Sequence, residues 1–181
     1  MPRIVEGLTD EDIQILEASK ENCNIFLKYY FNVELMPHQL MMAHAQQKSL
    51  LTLGGRGSGK TFGFFWSYIW LCTVIPDFRV LWTSYTADQA GIAFYDVGLP
   101  IIQQSDRFHK FLPEGLKSLK KKPYPSIHIQ IPGTGLPESF MVFKPPGDSG
   151  NTKRGFTLDA IHIDEGGLID DPRVLSTLRP A

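Results

Sequence analysis

A glycine-rich stretch that contains one lysine and one hydroxyl residue carries the clearest chemistry in the sequence. It fits the pattern GxxxxGK[ST] and reads Gly54-Gly55-Arg56-Gly57-Ser58-Gly59-Lys60-Thr61. Glycines let the backbone curl so that its N–H groups point at phosphate oxygens, and the positive end of the following helix adds to the attraction. The lysine of such a loop reaches the β- and γ-phosphates, and the hydroxyl binds Mg²⁺. The stretch therefore predicts nucleoside triphosphate binding; the alternative is a glycine-rich turn that fits the pattern by chance.

Two adjacent carboxylates, Asp164 and Glu165, follow a second apolar segment, Ala160 to Ile163. An aspartate that ends a strand beside a phosphate loop can hold the Mg²⁺ shell, and the next glutamate can polarise a water for attack on the γ-phosphate. Taken alone, the segment better fits a strand followed by an ordinary acidic turn. Combined with the phosphate loop, it predicts hydrolysis, with Asp164 as a metal ligand and Glu165 as the catalytic base.

Alternating strand and helix patterns predict how these residues are positioned. Short runs of β-forming residues alternate with longer apolar helical runs in the order strand 49–53, helix 61–74, strand 79–85, helix 87–104 and strand 160–163. This alternation predicts an α/β fold whose sheet is mostly parallel, with helices on both faces. Ligands bind such sheets at the carboxyl ends of the strands, where both motifs lie.

Other segments predict elements that flank this core. Thr9 and Asp12 resemble a capping box for a helix that ends near Ser19, and Pro37 suits the first turn of a helix that reaches about Gln47. The segments 127–131 and 139–144 predict an added β-hairpin, and Asp171-Pro172 predicts a last helix. The loop between them, 145–154, is rich in Gly, Pro and Lys.

Composition is typical of one globular domain. The chain has 181 residues, of which 43% are hydrophobic and 20% charged, so it can bury a single sizeable core. We expect a helical N-terminal extension over 1–35 and a phosphate-loop core over 36–181. The two cysteines form no metal or disulfide pattern, and the N-terminus does not resemble a signal peptide, so neither disulfides nor secretion is expected.

Charge limits the surfaces that can bind nucleic acid. The formal net charge is −1, so any such contact must be local. The densest positive cluster comprises Lys117, Lys120, Lys121 and Lys122, and Tyr124 follows it. Phosphate contact is one interpretation of this cluster and a merely solvated loop is the other.

Five features, in this order along the chain, resemble the ATPase domain of the large subunit of phage terminases, the motors that package viral DNA. They are Pro37-His38-Gln39, the phosphate loop, Thr83 to Ala90, Lys153-Arg154-Gly155 and Ile163-Asp164-Glu165. The resemblance runs from about Pro37 to Ala181. It implies a RecA-like P-loop NTPase fold of the ASCE type, with ATP and Mg²⁺ as cofactors.

The resemblance also implies roles for individual residues. Gln39 matches the position that reads the adenine edge, because an amide can donate and accept at once, and Tyr30 or Phe31 would stack on the base. Arg56 matches a basic position near the γ-phosphate, where a guanidinium stabilises the charge of the transferred group. Arg154 matches the Arg-Gly just before the Asp-Glu strand, where it would act as an arginine finger, in cis or across a subunit boundary. The alternatives are a surface helix residue for Gln39 and solvent-facing or acid-binding arginines for the other two.

Partners follow from the same resemblance. It implies contact with double-stranded DNA, portal protein and the terminase small subunit, in a homo-oligomeric ring, a pentamer by analogy, in the host cytoplasm and away from membranes. The coupling strand and nuclease domain of such subunits are not recognisable, so we expect a chain truncated before both. Two alternatives remain: one half of a DEAD-like helicase, and a nucleotide-binding assembly module with little turnover.

Overall fold

The computed structural model describes residues 7–45, 50–53, 57–146 and 157–165. Its α-helices are α1 (Asp10–Ser19), α2 (Cys23–Phe31), α3 (Pro37–Ala43), α4 (Lys60–Val74), α5 (Ala87–Ile92) and α6 (Leu99–Gln104). A π-helical turn, Ala93–Gly98, joins α5 to α6, and two 3₁₀ turns follow at His109–Phe111 and Gly115–Ser118. The strands are β1 (Arg79–Thr83), β2 (Leu119–Lys120), β3 (Ser126–Ile129), β4 (Ser139–Phe143) and β5 (Ala160–Ile163).

The five strands form one sheet in the order β2-β3-β4-β1-β5. β1 lies between β4 and β5 and runs parallel to both, while β3 pairs antiparallel with β2 and β4. The predicted α/β class is confirmed, and the predicted pair of strands forms as β3 and β4. The sheet is mixed, because β4 belongs both to the parallel centre and to the antiparallel extension.

Helix α4 packs its aromatic side chains on one face of the sheet. Phe65 stacks at 6.1 Å from Phe143 of β4 and meets Trp82 of β1 at 6.5 Å. Phe94, in the π-helical turn, also contacts Phe143, at 5.6 Å. Gly98 allows this close packing, since a Cβ there would overlap the Phe65 ring. The helix predicted over 87–104 is therefore present, with a π turn at its middle.

The opposite face of the sheet carries a smaller apolar cluster. Leu81, almost fully buried, packs there with Val142, Ile161 and Ile163. The last predicted helix, after Asp171, lies outside the described residues. Whether helices cover both faces therefore stays a prediction.

The segment before the phosphate loop departs from expectation. A strand was predicted over 49–53, but residues 50–53 form no strand, and Leu51 and Leu53 are 82% and 86% exposed. Within the described ranges this backbone pairs with no neighbouring strand, and a strand exists only through such pairing. Apolar composition alone did not specify the element, so this prediction was wrong for the described part.

The N-terminal helices pack onto the core. Thr9 and Asp12 form the predicted capping box of α1. Phe31 of α2 lies 4.7 Å from Trp66 of α4, and the Tyr30 hydroxyl donates a 2.7 Å hydrogen bond to Asp12. The rings of Tyr30 and Phe31 are both buried in the core, so the expectation that one of them stacks on a base is wrong. No helix in the described ranges has the length and apolar character needed to cross a membrane.

Candidate nucleotide site

The phosphate loop leads directly into α4. Gly57 and Gly59 both adopt the left-handed region, with φ of 81° and 71°, which an L-residue with a side chain rarely adopts. Gly59 is the N-cap residue, so Lys60 and Thr61 occupy the first turn of the helix, where free N–H groups and the positive dipole end favour an anion. The other predicted loop residues, Gly54, Gly55 and Arg56, lie outside the described part of the chain.

The two motifs predicted to cooperate are in contact. The hydroxyl of Thr61 donates a 3.1 Å hydrogen bond to Oδ2 of Asp164. The carboxyl end of β5 supplies Asp164, whose own N–H donates a 2.8 Å bond to the carbonyl of Thr83 at the end of β1. The parallel pairing of β1 and β5 therefore holds this carboxylate against the first turn of α4.

The environment of Asp164 is partly desolvated. Burial raises the pKa of its carboxyl above the usual value, as does the charge of Glu165, while the hydrogen bond from Thr61 and the charge of Lys60 act in the opposite direction. A hydroxyl and a carboxylate oxygen at this separation fit Mg²⁺, which takes few protein ligands and completes its shell with water and substrate phosphates. Among the described residues, no cluster of three or more His, Cys, Asp or Glu side chains that could hold a metal occurs.

Glu165 has the geometry of a residue at a sharp turn. Its φ is +52°, in the left-handed region, and its side chain is exposed. Its backbone N–H donates to the carboxyl of Asp164. The turn thus points the two carboxylates to different surroundings. Asp164 faces Thr61, whereas Glu165 is open to solvent, from which an attacking water would come.

The side chain of Lys60 lies along the loop. Its Nζ donates a 3.3 Å hydrogen bond to the hydroxyl of Ser58. From this position along the loop, the ammonium can reach the oxygens of a phosphate bound there. The structure therefore places Ser58, Lys60, Thr61 and Asp164 together, as the sequence predicted.

Two consecutive residues of α3 hold the loop from outside. Nε2 of Gln39 donates a 2.9 Å bond to the carbonyl of Gly59, and Oε1 accepts a 2.8 Å bond from the N–H of Met36. Nε2 of His38 lies 3.0 Å from the carbonyl of Ser58, and the tautomer protonated there donates to it. The start of α3 is thus coupled to the loop through main-chain carbonyls, and the adenine-reading role of Gln39 stays a prediction.

Sequence reasoning missed part of this arrangement. His38 was given no role, although its place next to Gln39 was a usable signal. Thr83 and Ser84, at the carboxyl end of β1, are buried beside the Asp164 backbone. The Thr83 hydroxyl has no hydrogen-bond partner within the described ranges. Topology, rather than residue type, identifies these two as neighbours of the site.

The arginines proposed to complete the site are placed only in part. Arg56 and Arg154 lie outside the described residues, so their roles stay predictions. Arg107, another arginine of the described chain, packs over the ring of Tyr29 at 4.8 Å and donates a 3.4 Å bond to the carbonyl of Tyr29. It therefore contacts the N-terminal helices in this conformation.

Solved structures with a similar fold support the assignment of the fold. No family model and no curated protein matches the sequence. The large terminase ATPase domain of Thermus phage P74-26 superimposes with a TM-score of 0.59 and 18% identity, over 84% of this chain and 63% of that one. A mutant of the same domain gives a TM-score of 0.57 and 18% identity, over 84% and 64%. The resemblance read from the motifs is confirmed at the level of the fold, and the chain spans a little under two thirds of those solved domains.

Proposed function

Starting from this terminase-type ATPase fold, we propose that the chain is the ATP-hydrolysing motor domain of a viral DNA-packaging terminase, which translocates double-stranded DNA into a procapsid. One observation carries the proposal: the hydrogen bond between Thr61 and Asp164, which joins the phosphate loop to the acidic end of β5. A loop hydroxyl and an aspartate at the end of a strand are the protein groups that hold Mg²⁺ in phosphate-loop NTPases.

ATP with Mg²⁺ is the ligand that this site fits best. Thr61 and Asp164 would hold the Mg²⁺, which would supply positive charge to offset the charge that develops on the phosphates. Lys60 would exchange its contact with Ser58 for the β- and γ-phosphates. The N–H groups at the start of α4 would bind phosphate oxygens directly.

Hydrolysis would then depend on Glu165. Its exposed carboxylate accepts a proton from the water that attacks the γ-phosphorus, in line with the leaving oxygen of the β-phosphate. Arg56 and Arg154 would stabilise the charge of the transferred group, in cis or across a subunit boundary. Loss of the γ-phosphate changes the contacts of the loop, and α3 would sense that change through Gln39 and His38.

The motor proposal includes partners and a place of action. We propose double-stranded DNA, the portal protein and the terminase small subunit as partners, a homo-oligomeric ring as the assembly, and the host cytoplasm as the location. Support for these comes from the terminase fold, because the phage structures it matches are ATPase domains of a large terminase.

Phosphate release tests the proposal. The chain should hydrolyse ATP in the presence of Mg²⁺, and Lys60→Ala should abolish nucleotide binding or turnover, whereas Lys20→Ala, at the exposed C-cap of α1, should not. Unchanged turnover in Lys60→Ala would remove the phosphate loop from the mechanism. Tight ATP binding without turnover, even after addition of DNA, would favour the assembly module instead.

A further inference from the structure

We propose that the backbone of duplex DNA binds along one edge of the sheet, at a surface formed by Lys120, Lys121, Lys122, Tyr124 and Lys144. We call this surface the basic edge. The inference rests on the proposed motor function and deepens it, because it locates the surface that grips DNA relative to the nucleotide site. The evidence is the direction of the strands, their register and the local charge.

Strand directions place the basic edge on the same side of the sheet as the nucleotide site. β2 is antiparallel to β3, and β3 is antiparallel to β4, so β2 runs parallel to β4. β4 in turn is parallel to β1, and β1 to β5. The carboxyl ends of β2, β4, β1 and β5 therefore lie along the same side of the sheet. Lys121 and Lys122 follow β2 at one end of this row of strand ends, and Asp164 follows β5 at the other.

The register makes this placement specific. Lys120 pairs with Ser126, Ser126 with Val142, Val142 with Leu81, and Leu81 with Ile161, in one continuous row across the sheet. The pairing of β3 with β4 extends one residue beyond this row, because the N–H of Phe143 donates a 2.9 Å bond to the carbonyl of Pro125. Four strand spacings separate β2 from β5, or roughly 19 Å at about 4.8 Å each.

Lys144 extends the charge from β2 toward the site. It follows the last residue of β4, and its N–H donates a 3.1 Å bond to the carbonyl of Trp82 in β1. Its ammonium lies 6.0 Å from the centre of the Tyr124 ring, which is 42% exposed. Partial burial lowers the pKa of Lys144 below its usual value, and a bound phosphate would oppose that effect.

The local charge has one sign. The lysines from Lys117 to Lys122 are exposed, and no acidic residue occurs between Glu114 and Glu138 in the sequence. Glu138 lies next to His128, at 3.0 Å, rather than next to a lysine. Within the described ranges, none of these four lysines makes an ion pair. In a chain with a net charge of −1, such a segment is the local basic surface that phosphate binding requires.

Duplex DNA fits this surface better than an acidic protein does. B-DNA presents about one negative charge per 1.7 Å of its axis, so the roughly 10 Å from β4 to β2 faces several phosphates. Lysines contact phosphates as point charges without base readout, which suits a motor that must move along any sequence. A conformational change at Asp164 or Thr61 would reach this edge through β1 and β4, which are directly paired.

The salt dependence of DNA binding tests the inference. The probe is a fluorescently labelled 30-base-pair duplex of arbitrary sequence, titrated with the full chain at several salt concentrations. The test variant is Lys120→Gln with Lys121→Gln. The matched control is Lys20→Gln with Lys28→Gln, which removes the same charge from two exposed lysines, one at the C-cap of α1 and one in α2. A charge-preserving variant, Lys120→Arg with Lys121→Arg, separates charge from fold.

If both lysines contact phosphates, the slope of log affinity against log salt should become shallower by about 1.8 in the test variant. It should stay unchanged in the control and in the arginine variant. An equal slope in the test variant and the control would overturn the basic edge while leaving the motor proposal intact. Absence of duplex binding by the unmodified chain at low salt would also overturn it, and phosphate release would then report independently on the ATPase.

Discussion

The hydroxyl of Thr61, in the first turn of α4, donates a hydrogen bond of 3.1 Å to the carboxylate of Asp164, which lies 103 residues further along the chain. Nothing local in the sequence joins these residues. The contact exists because β5 pairs in parallel with β1, and because Asp164 donates its N–H to Thr83 at the end of that strand. The sheet therefore determines the geometry of the candidate metal site.

Removing the Thr61 hydroxyl should weaken the part of nucleotide affinity that depends on Mg²⁺. Thr61→Ala deletes one oxygen ligand, so the stimulation of ATP-analogue binding by Mg²⁺ should fall at least roughly tenfold. Thr61→Ser keeps the hydroxyl and should retain most of the stimulation. Titration of a fluorescent ATP analogue with Mg²⁺ or with a chelator measures both. Equal Mg²⁺ stimulation in Thr61→Ala and the unmodified chain would contradict the assignment.

Glu165 should be needed for turnover and not for binding. Glu165→Gln keeps the size of the side chain but cannot accept a proton, so ATP and Mg²⁺ should bind normally while hydrolysis slows by roughly 10²- to 10⁴-fold. Single-turnover phosphate release, alongside an equilibrium binding measurement, separates the two effects. Glu114→Gln, at an exposed position outside the site, is the control. Normal turnover in Glu165→Gln would mean that another group serves as the base.

Motif chemistry made the centre of the site predictable. Lys60, Thr61 and Asp164 could be assigned because each role demands a particular residue type at a particular place beside a strand or helix. The alternation of strands and helices then predicted that they meet at the carboxyl edge of the sheet, and they do. Local capping rules worked equally well for Thr9 and Asp12.

Tertiary context decided what sequence patterns could not. Tyr30 and Phe31 have the chemistry of base-stacking residues, yet both are buried in the core, because neighbouring aromatic side chains compete for them. Leu51 and Leu53 have the composition of a strand but no strand partner in the described ranges. The contact of His38 with Ser58 depends on the packing of α3 against the loop, which no periodicity in the sequence reveals.

Gln39 should contribute both to loop position and to base choice. Its amide already bonds to Gly59 and Met36. An amide oxygen accepts two hydrogen bonds and an amide nitrogen donates two, so the contacts with described residues leave one of each for adenine. Gln39→Ala should therefore weaken ATP binding more than GTP binding. Competition between the two nucleotides for a labelled analogue measures the difference. An equal loss for both would restrict Gln39 to holding the loop.

The attachment of the N-terminal helices should depend on pH through Asp12. This fully buried carboxylate accepts hydrogen bonds from Thr9, from the Tyr30 hydroxyl at 2.7 Å and from Nζ of Lys110 at 2.7 Å. Burial alone would raise the pKa of Asp12, but these bonds outweigh it and lower the pKa from 3.8 to about 2. A lowered pKa in the folded state means that the carboxylate stabilises the fold above pH 4 and loses that contribution as the pH falls toward 2.

The contribution of Asp12 corresponds to about 2 kcal/mol of unfolding free energy. Urea denaturation between pH 5 and pH 2 should therefore show stability falling in the unmodified chain and falling less in Asp12→Asn, which has no charge to lose. Asp10→Asn removes an exposed carboxylate two residues earlier, in the same first turn of α1, and should keep the steeper dependence. The same pH dependence in Asp12→Asn and the unmodified chain would mean that other carboxylates control acid unfolding. In that case the contact of α1 with Lys110, in the 3₁₀ turn His109–Phe111, would not stabilise the fold through charge.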